Sequence, residues 1–268
     1  MEAIIACEVL YEEILTLSAD KEINIEFLPQ GIHDLPNQEE MRAVIQAKID
    51  ELEAQKNYDY LLLGYGFCSG GVEGLSTKRA TLVIPFVHDC IPLLLGDQEA
   101  QGNIENSNTF YLSRGWIDCG GDVFKEHLFL TDNTEVWLNK FLEHQQQENS
   151  TRVSWHQKER YQHQKTYPEE TAKYISFECL KGYQSITLID NDNLAPIHHQ
   201  YAEAKYNFTD QLLNEERGSG VDYKVIAGKT ELLEKLICFT ELSTAEQEKH
   251  FLISSPGEKL EFEKHIWE

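Results

Sequence analysis

The residues of this chain best suited to chemistry are thiols and imidazoles spread through its first half. Cys7 closes the apolar run AIIAC, His33 stands in LPQGIHDLP, and Cys68 lies in the glycine-rich stretch GYGFCSGGVEGL. His88, Asp89 and Cys90 follow the run TLVIPFV. Thiolate and imidazole together are the ligands preferred by zinc, by other soft transition metals and by iron–sulfur clusters. An aspartate beside a ligating histidine, as Asp89 stands beside His88, is a common acceptor for the second ring N–H. The same groups could serve a metal-free reaction, with Cys68 as nucleophile, His88 as its base and loop amides as oxyanion donors. Each also has a plain structural use: Cys7 as core, Asp89 as a helix N-cap, and His33 as part of a turn with Asp34 and Pro36.

Residues so far apart need a scaffold to gather them. Short apolar runs at 3–7, 23–28, 58–65, 81–87 and 109–113 read as strands, and the stretches 8–19, 37–56 and 89–101 read as helices. In the second of these helices Met41, Val44, Ile45 and Ile49 form the apolar stripe. Near-continuous apolar strands alternating with helices predict an α/β fold. It is a mostly parallel sheet with helices on both faces (Rossmann-like), with a smaller second α/β lobe. Ligands of such sheets bind outside the carboxyl ends of the strands. That edge would collect Cys7, then Gly31, Ile32 and His33, then Cys68, then His88, Asp89 and Cys90, and last Ser113, Arg114, Gly115 and Trp116. The expected metal ligands are therefore Cys7, Cys68 and Cys90, with His88 or His33 as the fourth. Gly66, Gly70, Gly71, Arg114 and Trp116 would wall a cofactor, the glycines letting backbone pass close to it.

The second half repeats the alternation: helix 171–182, strand 185–190, helix 195–214, strand 222–228, a helix from Lys229 and a last strand at 250–257. This divides the chain into an N-terminal lobe at 1–145, a polar crossover at 146–170 and a C-terminal lobe at 171–268, with one continuous domain as the alternative. Residues 142–170 are rich in Gln and His, and His144, His156 and His163 read as a solvated face. Cys179 and Cys238 fall on helical stripes and read as core. Cys119, in DCGGD, reads as a turn residue or a neighbour of the site. Gly228, Lys229 and Thr230 open a helix, which serves an anion contact or a plain cap equally well. Neither GxGxxG nor GxxxxGK[ST] occurs, so nothing supports a dinucleotide or P-loop site.

Bulk properties narrow the partners. The 268 residues carry 46 acidic and 23 basic side chains, a formal charge of −23, which disfavours nucleic acid and anionic membranes. No apolar stretch reaches a membrane-spanning length, and the N-terminus lacks the basic region and cleavage site of a signal peptide. The expected compartment is the cytoplasm, where the six cysteines are thiols or ligands rather than disulfides. No CxxC pair occurs, which argues against a zinc ribbon or a thioredoxin-like site.

The segments IIACEVLYEEI, LPQGIHDLP, LLLGYGFCSGGVEGL, LVIPFVHDCIPLLLG and FYLSRGWID, with AGKTELLEKLICF and FLISSPG near the end, resemble the bacterial and archaeal proteins grouped as domain-of-unknown-function family 1638. The resemblance carries over to Cys7, His33, Cys68, His88, Cys90 and Trp116. Many members have Thr-Pro where this chain has Ser113-Arg114. Members are often encoded beside corrinoid-dependent methyltransferases and other one-carbon enzymes. The resemblance therefore implies a role near methyl transfer, with a corrinoid against Trp116 as a cofactor and a small molecule or a corrinoid protein as partner. Three readings follow: a protein binding a metal ion (zinc or an iron–sulfur cluster) or cofactor through its Cys/His cluster, a non-enzymatic small-molecule-binding or accessory protein, and a metal-free enzyme using Cys68 and His88. Sequence alone leaves catalysis and oligomeric state open.

Overall fold

The computed structural model describes residues 1–96, 108–148 and 166–262. Its strands are β1 (Glu2–Cys7), β2 (Asn24–Leu28), β3 (Tyr60–Gly64), β4 (Thr81–Pro85), β5 (Thr109–Leu112), β6 (Ser185–Asp190), β7 (Asp222–Ala227) and β8 (Phe251–Ser254). The helices are α1 (Tyr11–Leu17), α2 (Gln38–Gln55), α3 (Ile91–Leu95), α4 (Arg114–Asp118), α5 (Val123–Leu130), α6 (Glu135–Glu148), α7 (Glu169–Leu180), α8 (Pro196–Arg217), α9 (Glu231–Ile237) and α10 (Thr244–His250). The fold is α/β, with helices around two sheets, one mostly parallel and one wholly parallel.

The chain divides into two compact units, 1–101 with 228–268, and 102–227. The lobes read along the sequence, 1–145 and 171–268, each draw on both units. The difference lies in the tail: β8 pairs antiparallel with β4, Val83 opposite Ile253, so α9 and β8 complete the first unit. Apolar contact explains that return. Leu232, Leu233, Leu236 and Ile237 of α9 are buried, and Phe239 packs edge-on against Tyr60 and Phe251.

In the first unit the strand order is β2-β1-β3-β4-β8. The chain leaves β1 to one side for β2 and returns to the other side for β3, so the topological switch lies between β1 and β3. Their residues are apolar almost throughout because helices cover the sheet: Ile4, Ile5, Leu61, Leu62 and Leu63 are fully buried. Helix α2 starts where the Asn37 side chain accepts the Glu40 amide (2.9 Å) while its own amide reaches the Glu40 carboxylate (2.9 Å). It buries Met41, Ile45, Ile49 and Leu52. Val44, expected in that stripe, is exposed; one residue before Ile45, it is turned about 100° around the helix axis. The apolar helix expected at 89–101 is short: it runs Ile91–Leu95 and ends at Gly96, left-handed at φ 72°. Residues 97–101 lie outside those described.

The second unit holds the three-stranded parallel sheet β5-β6-β7. Its core joins Leu112, Ile186 and Leu188 of the sheet to Phe124, Trp137, Phe141, Tyr201, Leu212 and Leu213 of the helices. His144 sits on α6, partly buried, with its ring 5.3 Å from that of His198, so it does not belong to a solvated face. His156 and His163 lie outside the described residues. Cys179, expected in the core, is exposed, Cys238 is partly buried, and Cys119 is buried at the end of α4.

Candidate functional site

The parallel pairing of β1 and β3 sets Ala6 opposite Gly64. A side chain at Gly64 would come within 2.5 Å of the Ala6 Cβ, so glycine lets the two strands close. One residue further on, Cys7 and Tyr65 enter the switch-point edge. Cys7 is buried, and Tyr65 is 1% exposed although it carries a hydroxyl. That hydroxyl has no hydrogen-bond partner. Burial first, and then the neighbouring acidic groups Cys7, Cys68 and Glu8, hold the phenol well above its ordinary pKa, so it stays protonated. The Tyr65 ring lies 6.1 Å from that of His33. Burial lowers the His33 pKa, Asp34 opposing it only in part, so the imidazole is neutral near pH 7. Glu8 is fixed by the Gln30 amide, which donates to its carboxylate at 2.8 Å.

The glycine-rich loop is tied to the loop after β4. The Phe67 and Cys68 amides donate to the carbonyls of Val87 and His88, both at 2.8 Å. Cys68, Ser69 and Gly70 follow one another with φ of 48°, 56° and 91°, and a left-handed non-glycine residue costs about 1–2 kcal/mol. Two glycines of this loop answer to the protein itself rather than to a bound group. A Cβ at Gly66 would meet the Asp89 backbone at 2.7 Å, and one at Gly71 would meet the Met41 sulfur at 2.3 Å. Gly70 supplies the third positive φ.

The Cys68 thiol accepts the Gly66 amide, which favours ionisation. Burial, the larger effect, and the Asp89 carboxylate oppose it and push the thiol up to about 12. Some surface of the residue remains accessible. Cys68 is therefore a neutral thiol at rest, the wrong state for a nucleophile. His88 holds the loop through its carbonyl, while its Nδ1 lies 3.4 Å from Asp89. Asp89 accepts the Ile91 amide at 2.8 Å but is not the N-cap its position suggested: that residue is Cys90, one further on. Cys90 opens α3, partly buried.

The edge gathered from sequence thus holds for four strands and fails for the fifth. Strand β5 belongs to the other sheet, so Ser113, Arg114, Gly115 and Trp116 belong to the second unit. Ser113 caps α4, accepting the Trp116 amide, and Arg114 donates to the Asn193 carbonyl at 2.8 Å. Among the described residues, no three or more His, Cys, Asp or Glu side chains form a group that could hold a metal ion. Cys7, Cys68 and Cys90 with His88 or His33 are not assembled as a metal centre. The start of α9 is no anion site either: the helix has seven residues, with Glu231 and Glu234 in its first turn.

Two polar clusters escaped sequence reading. Tyr65 and Glu8 complete the switch-point edge, and a buried hydroxyl cannot be told from an ordinary core tyrosine in sequence. In the second unit, the Asp122 carboxylate accepts the Phe124 amide (2.8 Å), the Tyr201 hydroxyl (2.6 Å) and the Lys205 ammonium (3.0 Å). Lys125 donates to the carbonyls of Ile117 and Gly120. His198 Nδ1 accepts the Ala195 amide at 2.8 Å, so its proton sits on Nε2, facing Asp118 at 3.2 Å. With both ring nitrogens committed, His198 is a fastening of α8.

Fold and site together define an α/β protein whose switch-point edge brings together the neutral Cys68 thiol, the neutral His33 imidazole, the buried Tyr65 phenol and the buried Cys7. The chain belongs to the DUF1638 family of proteins of unknown function, which it matches over residues 27–237. The match spans His33, Tyr65, Cys68, His88 and Cys90 but begins after Cys7 and Glu8. No curated protein and no solved structure matches the chain.

Proposed function

We propose that this protein binds a small molecule in the crevice between the ends of β1 and β3, with Cys7, His33, Tyr65 and Cys68 around the ligand. The observation that carries the reading is the Tyr65 hydroxyl, buried and without a hydrogen-bond partner. A buried orphaned polar group costs about 1–3 kcal/mol, a cost that a ligand hydrogen bond would remove. The position supports the same reading, because open α/β sheets bind ligands at their switch points. So does the backbone strain at Cys68 and Ser69, which tends to gather at ligand sites. A neutral thiol and a neutral imidazole serve a ligand as hydrogen-bonding walls, which favours binding over covalent catalysis.

Tyr65→Phe tests this even while the ligand is unidentified. If the hydroxyl serves only a ligand, removing it leaves the purified, ligand-free protein as stable as before or more stable by up to about 3 kcal/mol. Mass spectrometry after native purification should then find a small molecule on the parent protein and less of it on the variant. A loss of more than about 1 kcal/mol in denaturant unfolding would assign the hydroxyl a structural bond and remove the central support for the reading.

A further inference from the structure

Every loop that leaves a parallel strand of the first sheet at its carboxyl end carries a carboxylate. Glu8 follows β1, Asp34 follows β2, Glu73 lies in the loop after β3, and Asp89 follows β4. The stretches 8–10, 29–37, 65–77 and 86–90 contain no lysine or arginine. The first basic residues met are Lys78 and Arg79, next to the start of β4. There Lys78 pairs with Asp50, and Glu53 takes both backbone amides.

Three of the carboxylates act on Tyr65, Cys68 or His33, and two of them are held by backbone amides. Glu8 is held by the Gln30 amide (2.8 Å) and acts on the Tyr65 hydroxyl. Asp89 is held by the Ile91 amide (2.8 Å) and acts on Cys68. Asp34 adjoins His33 and acts on it. Two cations from other elements stand beside these loops: Arg42 of α2, against the loop after β3 with its Nε unpartnered, and Lys235 of α9. Arg42 donates to the Gly70 carbonyl at 3.2 Å, and Lys235 stands against His250 at 2.9 Å where β8 begins, beyond β4. The unpartnered Tyr65 hydroxyl is the independent sign that a ligand belongs inside this acidic rim.

The geometry points to a ligand that is positively charged where it enters the crevice, an organic cation such as an amine or a quaternary ammonium, with a hydrogen-bonding atom for Tyr65. An anion would meet four carboxylates and, from the loops that surround it, two histidines but no lysine or arginine, so phosphates and carboxylates are the wrong class. The inference rests on the binding reading above and deepens it.

A pair of thiol reagents of like reactivity and opposite charge reads the field directly, with no ligand required. Trimethylammonioethyl and sulfonatoethyl methanethiosulfonate are applied separately to the intact protein, and labelling of each cysteine is followed by peptide mass spectrometry. The cation-to-anion rate ratio at Cys68, divided by that at the exposed Cys179, cancels both intrinsic thiol reactivity and the protein's overall charge. The expected quotient is about tenfold or more, as charge focusing in a cleft produces, falling toward one in Glu8→Gln/Asp89→Asn. Ser69→Cys, at the exposed neighbouring position, should give the same preference and serves as reporter if Cys68 labels slowly. A quotient of one or less at both positions overturns the charge class, even where Tyr65→Phe has upheld binding. A high quotient with a destabilised Tyr65→Phe overturns the binding reading instead.

Discussion

If Cys68 is a protonated thiol at rest, its reactivity must be low and must rise late with pH. A thiol at about 12 rather than 9.0 has, across three pH units, a thousandfold smaller thiolate fraction near pH 7. The thiolate that does form is the better nucleophile: with a Brønsted slope of about 0.4–0.5, it recovers roughly 15- to 30-fold. The net expectation is carbamidomethylation by iodoacetamide about 30- to 60-fold slower than for an ordinary thiol of equal access. The assay is peptide-resolved labelling between pH 7 and pH 11, with Cys179 as internal reference because it is exposed. Cys68 should label more slowly than Cys179 and should still be gaining reactivity at the highest pH. Asp89→Asn keeps an acceptor for the Ile91 amide but removes the charge. It should move the Cys68 profile only part of the way down, because burial is the larger cause. A Cys68 profile that levels off near pH 9, or labelling as fast as at Cys179, would refute the picture of a neutral resting thiol and reopen the nucleophile reading.

Other expectations can be checked by unfolding. Asp122→Ala or Lys205→Met alone leaves an uncompensated buried partner and should cost about 3–5 kcal/mol in denaturant unfolding, while the combined replacement should cost less than the sum. Burial raises the Glu53 carboxyl, but amides from Lys78, Ala80 and Arg79 outweigh it and leave its pKa below 4.5. Its contribution is therefore present above pH 4.5 and lost as pH falls through its lowered folded value, and Glu53→Gln should flatten that part of the stability–pH curve. His250 is lowered by burial, then by Lys235 and Lys249. The folded protein then binds fewer protons than the unfolded chain, so stability should drop as pH falls below 6.5; His250→Asn should remove part of that slope and leave the part due to His33.

What the sequence could and could not reveal follows from the range of the forces involved. Strands β1, β3 and β4 were legible because full burial demands unbroken apolar runs, and α2 because its stripe recurs at helical spacing. Strand order was not legible. Whether β5 extends the first sheet or begins another depends on which surfaces fit at long range. That single ambiguity carried Arg114 and Trp116 to the wrong edge, while Cys7, His33, Cys68, His88 and Cys90 followed strands whose placement held. The tail misled for the same reason: β8 has strand composition wherever it docks, and only the pairing with β4, with Phe239 packed against both Tyr60 and Phe251, shows where it returns.

The glycine loop shows the limit most sharply. Its composition read as a wall of a site, yet Gly66 and Gly71 are small because Asp89 and Met41 occupy the space a Cβ would need. The residue that marks the crevice is Tyr65, an ordinary tyrosine after an apolar strand, whose hydroxyl becomes informative only once its surroundings are known. Tyr65→Phe therefore separates two accounts of this loop. If the loop is only a tight connection, the glycines suffice and the hydroxyl should have a structural bond whose loss costs stability. If it is one wall of a binding crevice, the phenol stands ready at a standing cost of about 1–3 kcal/mol, and its removal should relieve the empty protein while weakening whatever the crevice holds.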